Sequence, residues 1–240
     1  MKKKRFGVSL IVALAAVVTL TANAFAAVWS TSEQYGNWTN SGYIVYNNIW
    51  GSGAGPQSMW ANSYSNWGVW AQHPGTGGIK SYPNSTKDVN KKLSALSSVK
   101  SSFNVTVPTS GTDFVTAYDI WAGNYAYEIM LWMNHYGGVK PISYNWDAQG
   151  NPVPVFKNVS VGGHTWNVYR GTNGHNEVFS FVRTSKTNSG TVDVLGVMNW
   201  IKARGWYNDV VLDRVQFGFE ITSSPAGLNY TTNSFSVTSN

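Results

Sequence analysis

The stretch Tyr125-Ala126-Tyr127-Glu128-Ile129-Met130-Leu131-Trp132-Met133 decides how this chain folds. Aromatic and long apolar side chains crowd it, and neither Pro nor Gly interrupts it, so it reads as a β-strand. Side chains alternate between the two faces of a strand. One face carries Tyr127, Ile129, Leu131 and Met133 and belongs in a core. The other carries Ala126, Glu128, Met130 and Trp132, which sets a carboxylate between apolar neighbours. Glu is disfavoured in strands and is seldom buried without a partner, so its presence there asks for a function.

Two further segments have the same build. In Asp213-Arg214-Val215-Gln216-Phe217-Gly218-Phe219-Glu220-Ile221, the core face is Val215, Phe217, Phe219 and Ile221, and Glu220 lies on the opposite one. In Phe114 to Trp121, Asp119 and Trp121 oppose Phe114, Tyr118 and Ile120. If the three second faces line one cleft, Glu128, Glu220 and Asp119 converge among aromatic rings. Two carboxyl groups flanking a bond are what glycoside hydrolysis needs. The plain alternative is a pair of solvated glutamates on exposed strands, and two matching strands with few neighbouring bases weigh against it. Asp119 alone is open to two readings: a turn-satisfying Asp, or a partner that governs the proton of a catalytic carboxyl.

Working outward, the rest of the chain is strand-and-turn signal. Tyr43 to Trp50 reads as a strand running into the loop Gly51-Ser52-Gly53-Ala54-Gly55-Pro56. Short strands are expected at 58–63, 67–72, 80–82, 102–107, 153–156, 158–161, 164–169, 177–183 and 233–238, with a turn at Asp147-Ala148-Gln149-Gly150-Asn151. Only one segment has helical spacing: Val194, Val197, Met198 and Ile201, with Asp193 or Thr191 to cap it and Gly205 to follow it. The pattern predicts an all-β protein, a β-sandwich or jelly roll with a single helix, folded as one domain over residues 27–240.

Residues 1–26 are expected to be a cleaved secretory signal. Lys2-Lys3-Lys4-Arg5 precedes an apolar run over 8–20 and the small-residue site Ala24-Phe25-Ala26. The protein is therefore expected outside the cell, with no membrane attachment after cleavage. Losing the signal removes four of 17 basic residues and none of 11 acidic ones, leaving a net charge of +2. No basic stripe for nucleic acid remains. The 12% of charged residues beside 12 Trp and 13 Tyr suits a secreted protein that stacks rings on a neutral polar ligand. With no Cys, disulfides and thiolate metal sites are excluded. His73, His135, His164 and His175 lack metal-ligand spacing and read as structural or surface residues. Neither a cofactor nor a metal is expected, and the single domain is expected to act as a monomer.

At the level of motifs, Glu128-Ile129-Met130-Leu131-Trp132 resembles the E-[LI]-M-[IL]-W strand of glycoside hydrolase family 12. Gln216-Phe217-Gly218-Phe219-Glu220 resembles that family's second catalytic strand. Asn47-Asn48-Ile49-Trp50-Gly51, Lys80-Ser81-Tyr82-Pro83-Asn84, Tyr118-Asp119-Ile120-Trp121 and Val161-Gly162-Gly163-His164-Thr165-Trp166 match in the same order. The resemblance implies a jelly roll of two curved antiparallel sheets with an open cleft on the concave face. It implies endo-hydrolysis of β-1,4-glucan with retention of configuration, on soluble or amorphous cellulose and mixed-linkage β-glucan. Glu128 would be the nucleophile, Glu220 the acid/base, and Asp119 a hydrogen-bond partner of the nucleophile. Asn48 and Trp50 would bind sugars on the non-reducing side. Trp121 stands on the cleft face as a candidate ring platform. Met130 and Trp132 would line the centre, and Pro141 would edge the leaving-group side. The nine positions from Asp119 to Glu128 make a shorter connection than is usual in the family. A xyloglucan-specific enzyme on the same scaffold is the nearest alternative. A non-catalytic carbohydrate-binding β-sandwich is the alternative of another kind, since it would use the same aromatic rings without needing the Glu pair.

Overall fold

A computed structural model describes residues 26–240, so the predicted signal lies outside the described residues apart from Ala26. In chain order the strands are β1 (Trp29–Thr31), β2 (Asn37–Asn40), β3 (Tyr43–Tyr46), β4 (Gln57–Ser63), β5 (Asn66–Ala71), β6 (Asn84–Lys92), β7 (Val99–Thr106) and β8 (Asp113–Ala122). They continue with β9 (Tyr127–Tyr136), β10 (Phe156–Val161), β11 (His164–Thr172), β12 (Glu177–Arg183), β13 (Ser189–Asp193), β14 (Val211–Ser223) and β15 (Leu228–Ser239). One α-helix, α1 (Val194–Lys202), joins β13 to β14. The strands form two sheets, β1-β4-β5-β15-β7-β13 and β10-β11-β12-β9-β8-β14-β6-β3-β2.

The three strands singled out in the sequence are adjacent in the nine-stranded sheet, with β8 between β9 and β14. Their apolar faces meet the six-stranded sheet as predicted. Phe114, Tyr118, Ile120, Ile129, Leu131, Met133, Val215, Phe217, Phe219 and Ile221 all enter one core with Val69, Phe103, Tyr230 and Phe235. Phe217 stacks on Phe235 at 5.2 Å between ring centroids, and Trp67 meets Phe219 edge-on at 5.4 Å. Burying each such ring is worth about 1.5–3 kcal/mol. This core holds the sheet so that its other face can carry polar chemistry.

Three departures from the predicted strands have physical causes. First, β12 lies parallel to β9, so the large sheet is mixed rather than antiparallel throughout. The chain leaves β9 through the long connection 137–155 to the edge strand β10 and returns through β11, which brings β12 in parallel beside β9; of the strand expected at 153–156, only Phe156 lies in a strand, at the start of β10. Second, β3 stops at Tyr46 because Asn48 takes a left-handed backbone, φ +44°, which turns the chain out of the sheet before Trp50. Third, 80–82 forms no strand, and Ser81 makes only an isolated bridge to Ile221.

The helix is where the spacing put it. Asp193 is its cap, with Oδ1 accepting the Gly196 N–H at 3.0 Å. Val194, Leu195, Val197, Met198 and Ile201 bury its inner face. Gly205, at φ +67°, follows its end.

Candidate active site

The outward face of β8, β9 and β14 forms the floor of a cavity of about 310 Å³. Asp119, Trp121, Glu128, Met130, Trp132 and Glu220 line it, and Asn48 and Trp50 close one side. Eight of the nine residues named from sequence are thus brought together. Pro141 is not: it is buried, while Lys140 and Ile142 line the cavity. Burial alternates along this extended piece of the 137–155 connection, so the proline turns inward where its neighbours turn out.

Strand register sets the layout. On β8, Trp121 stands opposite Glu128 of β9, Asp119 stands opposite Met130 of β9 and Gln216 of β14, and Val115 stands opposite Glu220 of β14. The carboxyl groups therefore lie on a diagonal across three strands with Asp119 between the two glutamates. The cleft crosses the strands instead of following them. Met130 and Trp132 join Val115, Ala117 and Val178 in a small apolar cluster that keeps water from the floor.

A chain of hydrogen bonds fixes the rings and amides of that floor. The Trp121 indole N–H donates to Gln216 Oε1 at 2.9 Å, and Gln216 Nε2 donates to Thr86 Oγ1 at 2.9 Å. Thr86 Oγ1 donates to Asn84 Oδ1 at 2.7 Å, and Asn84 Nδ2 donates to the Tyr82 carbonyl at 2.8 Å. Asn48 Nδ2 donates to the same carbonyl at 3.2 Å. Trp50 remains half exposed, at 49%, as a ring offered to a ligand must be.

Asn173, which the sequence reading missed, donates from Nδ2 to Glu128 Oε2 at 3.0 Å. It sits in the turn between β11 and β12, and its own Oδ1 accepts the N–H groups of His175 and Asn176 at 2.9 and 2.8 Å. That clamp leaves Nδ2 pointing at the carboxylate. The Asn-Gly pair in Asn173-Gly174 signals a hairpin turn, but nothing local signals that its amide reaches residue 128.

Burial raises the proton affinity of all three carboxyl groups, because the low-dielectric floor disfavours charge. Glu128 is pushed up to about 7 by burial, with the Asn173 amide pulling the other way. Glu220 is pushed up to about 8, by burial and then by repulsion from Glu128. Asp119 is held well above the carboxylate range by burial, then by repulsion from Glu128 and Glu220. Asp119 Oδ1 has no hydrogen-bond partner. Two ionised carboxylates can only accept, so a bond between Asp119 and Glu128 needs a proton on one of them. The histidines stay out of this chemistry. His73, for example, is buried against Gln57 and Ser81 and pushed down to about 4 by burial.

A stability consequence follows. Glu220 is raised in the folded state, so the native protein holds a proton that the unfolded chain gives up once pH passes the ordinary Glu range. The native state then binds more protons, and stability falls as pH rises from about 4 towards 8. Glu220→Gln removes that penalty, on the order of 4 kcal/mol at pH 8. Thermal unfolding followed at several pH values is expected to show a higher Tm for the variant at pH 8 and no gain near pH 4.

A half-buried carboxyl pair with a third, buried carboxyl between them, in a cleft walled by indole rings across a β-sandwich, defines a glycosidase of the two-carboxylate kind. The model of glycosyl hydrolase family 12 matches residues 41–240, and the chain belongs to that family. It is 35% identical over 241 residues to the xyloglucan-specific endo-beta-1,4-glucanase A of Emericella nidulans, covering 93% of this chain and 95% of that one. Among solved structures, it superposes with a TM-score of 0.86 on the xyloglucanase domain of NopAA, a type three effector from Sinorhizobium fredii, in complex with cellobiose. That match has 45% identity over 89% of this chain and 99% of the other. The endo-1,4-beta-glucanase CelB2, a cellulase, matches at a TM-score of 0.75 with 34% identity over 88% and 99% of the two chains. The jelly-roll sandwich expected from the motifs is the fold of this family.

Proposed function

We propose that the protein is a secreted endo-β-1,4-glucanase that cleaves xyloglucan with retention of configuration. The observation that carries the hydrolase reading is the convergence of Glu128, Glu220 and Asp119 on one aromatic cleft. Glu128 carries the hydrogen bond from Asn173 and ionises first, which suits a nucleophile. Glu220 faces the charge of Glu128 and keeps its proton longer, which suits the acid. In the first step Glu128 attacks the anomeric carbon while Glu220 protonates the departing oxygen. In the second, Glu220 takes a proton from water, which displaces Glu128. A protonated Asp119 donates to Glu128 and moderates its charge. Trp50 and Trp121 pack on the C–H faces of the sugar rings.

The sequence favoured unbranched glucan as the substrate. Relatives described as xyloglucan-specific shift the proposal to the branched polymer. Unbranched glucan stays as the second reading, supported by the likeness to a cellulase and by the cellobiose bound in the NopAA domain. Reducing-end release from xyloglucan, mixed-linkage β-glucan, carboxymethylcellulose and xylan decides between them. Xyloglucan is expected to give the highest kcat/KM. Faster cleavage of mixed-linkage β-glucan restores the second reading, and binding without any cleavage removes the enzyme altogether.

A further inference from the structure

The six-stranded sheet has an outer face of its own, on the side of the molecule away from the cleft. Side chains alternate along β4 and β5, so Met59, Ala61, Trp67 and Val69 enter the core while Ser58, Trp60 and Trp70 point outward. Trp60 stands opposite Gly68, and Trp70 lies two positions further along β5, opposite Ser58. Two tryptophans thus share one outer face on a diagonal of about 7–8 Å. We propose that this face is a second polysaccharide-binding site, which holds a neutral glucan chain on Trp60 and Trp70 while another stretch of the polymer occupies the cleft. The inference rests on the glucanase reading.

Each ring covers a glycine. A Cβ on Gly68 would stand 2.7 Å from Cζ2 of Trp60, and a Cβ on Gly227 would stand 2.7 Å from Cζ2 of Trp70. Gly227 also needs glycine for its φ of +75°, but Gly68 has no such backbone, so only the ring above it calls for glycine. Trp60 leans from β4 onto β5, and Trp70 leans from β5 onto the turn before β15, so both rings shift the same way and keep their spacing. Both are half-buried, so part of each indole rests on the sheet and part meets solvent. Among the described residues, the N–H groups of Trp121, Trp146 and Trp166 donate to protein acceptors, and those of Trp67 and Trp132 are shut away from water. Those of Trp60 and Trp70 are in neither state, and each can donate to a ligand hydroxyl.

The surroundings match a neutral, hydroxyl-rich ligand. None of β1, β4, β5 and β15 contains a charged residue, so an anionic polymer or a basic peptide finds no counter-charge on them. Two shallow grooves, of about 400 and 640 Å³, run beside Trp60 and Trp70 and meet at Ser32 and Ser58. Ser30 and Gln34 add further hydrogen-bonding groups. A sugar ring meets such a surface with C–H groups for the indoles and hydroxyls for the serines. The position favours the same polymer as the occupant. One wall of the larger groove is the loop over 47–56, whose Gly51 and Gly53 face the groove while Asn48 and Trp50 face the cleft. Groove and cleft share no lining residue, yet a single loop separates them.

Removing the rings is the test. Trp60→Ala and Trp70→Ala, singly and together, take away the platform. Ser58→Gln narrows the point where the grooves meet and leaves both rings on their glycines; Tm identifies any variant that does not fold. Binding is read in a Glu128→Gln background, where polymer is not cut, by mobility in gels containing xyloglucan or mixed-linkage β-glucan. Loss of the second site is expected to lower the apparent affinity for polymer by about tenfold or more, because two sites on one chain reinforce each other. With Glu128 restored, the same variants are expected to raise KM on polymer and to leave kcat/KM unchanged on an aryl cellobioside, which is long enough only for the cleft. Folded variants that bind polymer as tightly as their parent, or that lose activity on polymer and aryl cellobioside alike, overturn the second site. So does a wild type that sediments as a dimer and becomes a monomer with Ser58→Gln, because the face then belongs to a second copy. A wild type that neither binds nor cuts any glucan overturns the glucanase reading beneath it.

Discussion

Glu128→Gln is expected to lower kcat on the preferred glucan by about 10⁴-fold or more, with KM nearly unchanged. Gln has the size of Glu and can still accept the Asn173 hydrogen bond through its carbonyl oxygen, so the floor of the cleft survives. What is lost is the atom that attacks the anomeric carbon. The loss is therefore expected to be the same with an aryl glycoside as with the polymer, because a better leaving group does not replace a nucleophile. Wild type is expected to release the β-anomer first in a proton NMR time course, since two displacements restore the starting configuration. A variant that keeps a tenth of wild-type activity, or a wild type that releases the α-anomer first, removes Glu128 from the nucleophile's role.

How far the sequence reached this site depends on what kind of signal each residue gives. The facing of β8, β9 and β14 was legible because a half-buried strand alternates, and Glu128 and Glu220 broke the alternation where apolar residues surrounded them. Strand β6 was not legible. Asn84-Ser85-Thr86-Lys87-Asp88 carries no apolar residue, because this strand contributes Asn84 and Thr86 to the polar floor, where they hold Gln216. A strand that lines a cleft looks like a loop to any reading based on hydrophobicity. Asn173 was hidden for another reason: its contact with Glu128 spans 45 positions of sequence and depends on how β11, β12 and β9 lie side by side. The connection over 137–155 was hidden for the same reason, since only the sheet order, with β11 and β12 between β10 and β9, reveals it. The cavity beside Glu220 was hidden likewise, being assembled from the start of β8, the end of β14, the segment after β9 and the loop holding Gly75, Gly77 and Gly78.

Glu220→Gln should behave differently from the nucleophile variant, and the difference identifies the acid. On polymer, where the departing sugar oxygen is a poor leaving group, loss of the general acid is expected to lower kcat by about 10²–10⁴-fold. On an aryl glycoside the leaving group needs no proton, so the first step recovers. The second step still lacks its base, and a burst of phenol followed by slow turnover is expected. The pH profile gives an independent reading. In wild type, kcat/KM is expected to fall below about 7 as Glu128 gains a proton and above about 8 as Glu220 loses one. Because the two groups repel each other, these limbs belong to the pair as a whole. Glutamine at 220 has no proton to lose, so the alkaline limb should disappear while the acid limb remains. If the alkaline limb survives the substitution, the proton comes from elsewhere. Asp119, the other carboxyl whose proton affinity is raised by burial and by its neighbours' charge, would then be the donor to test.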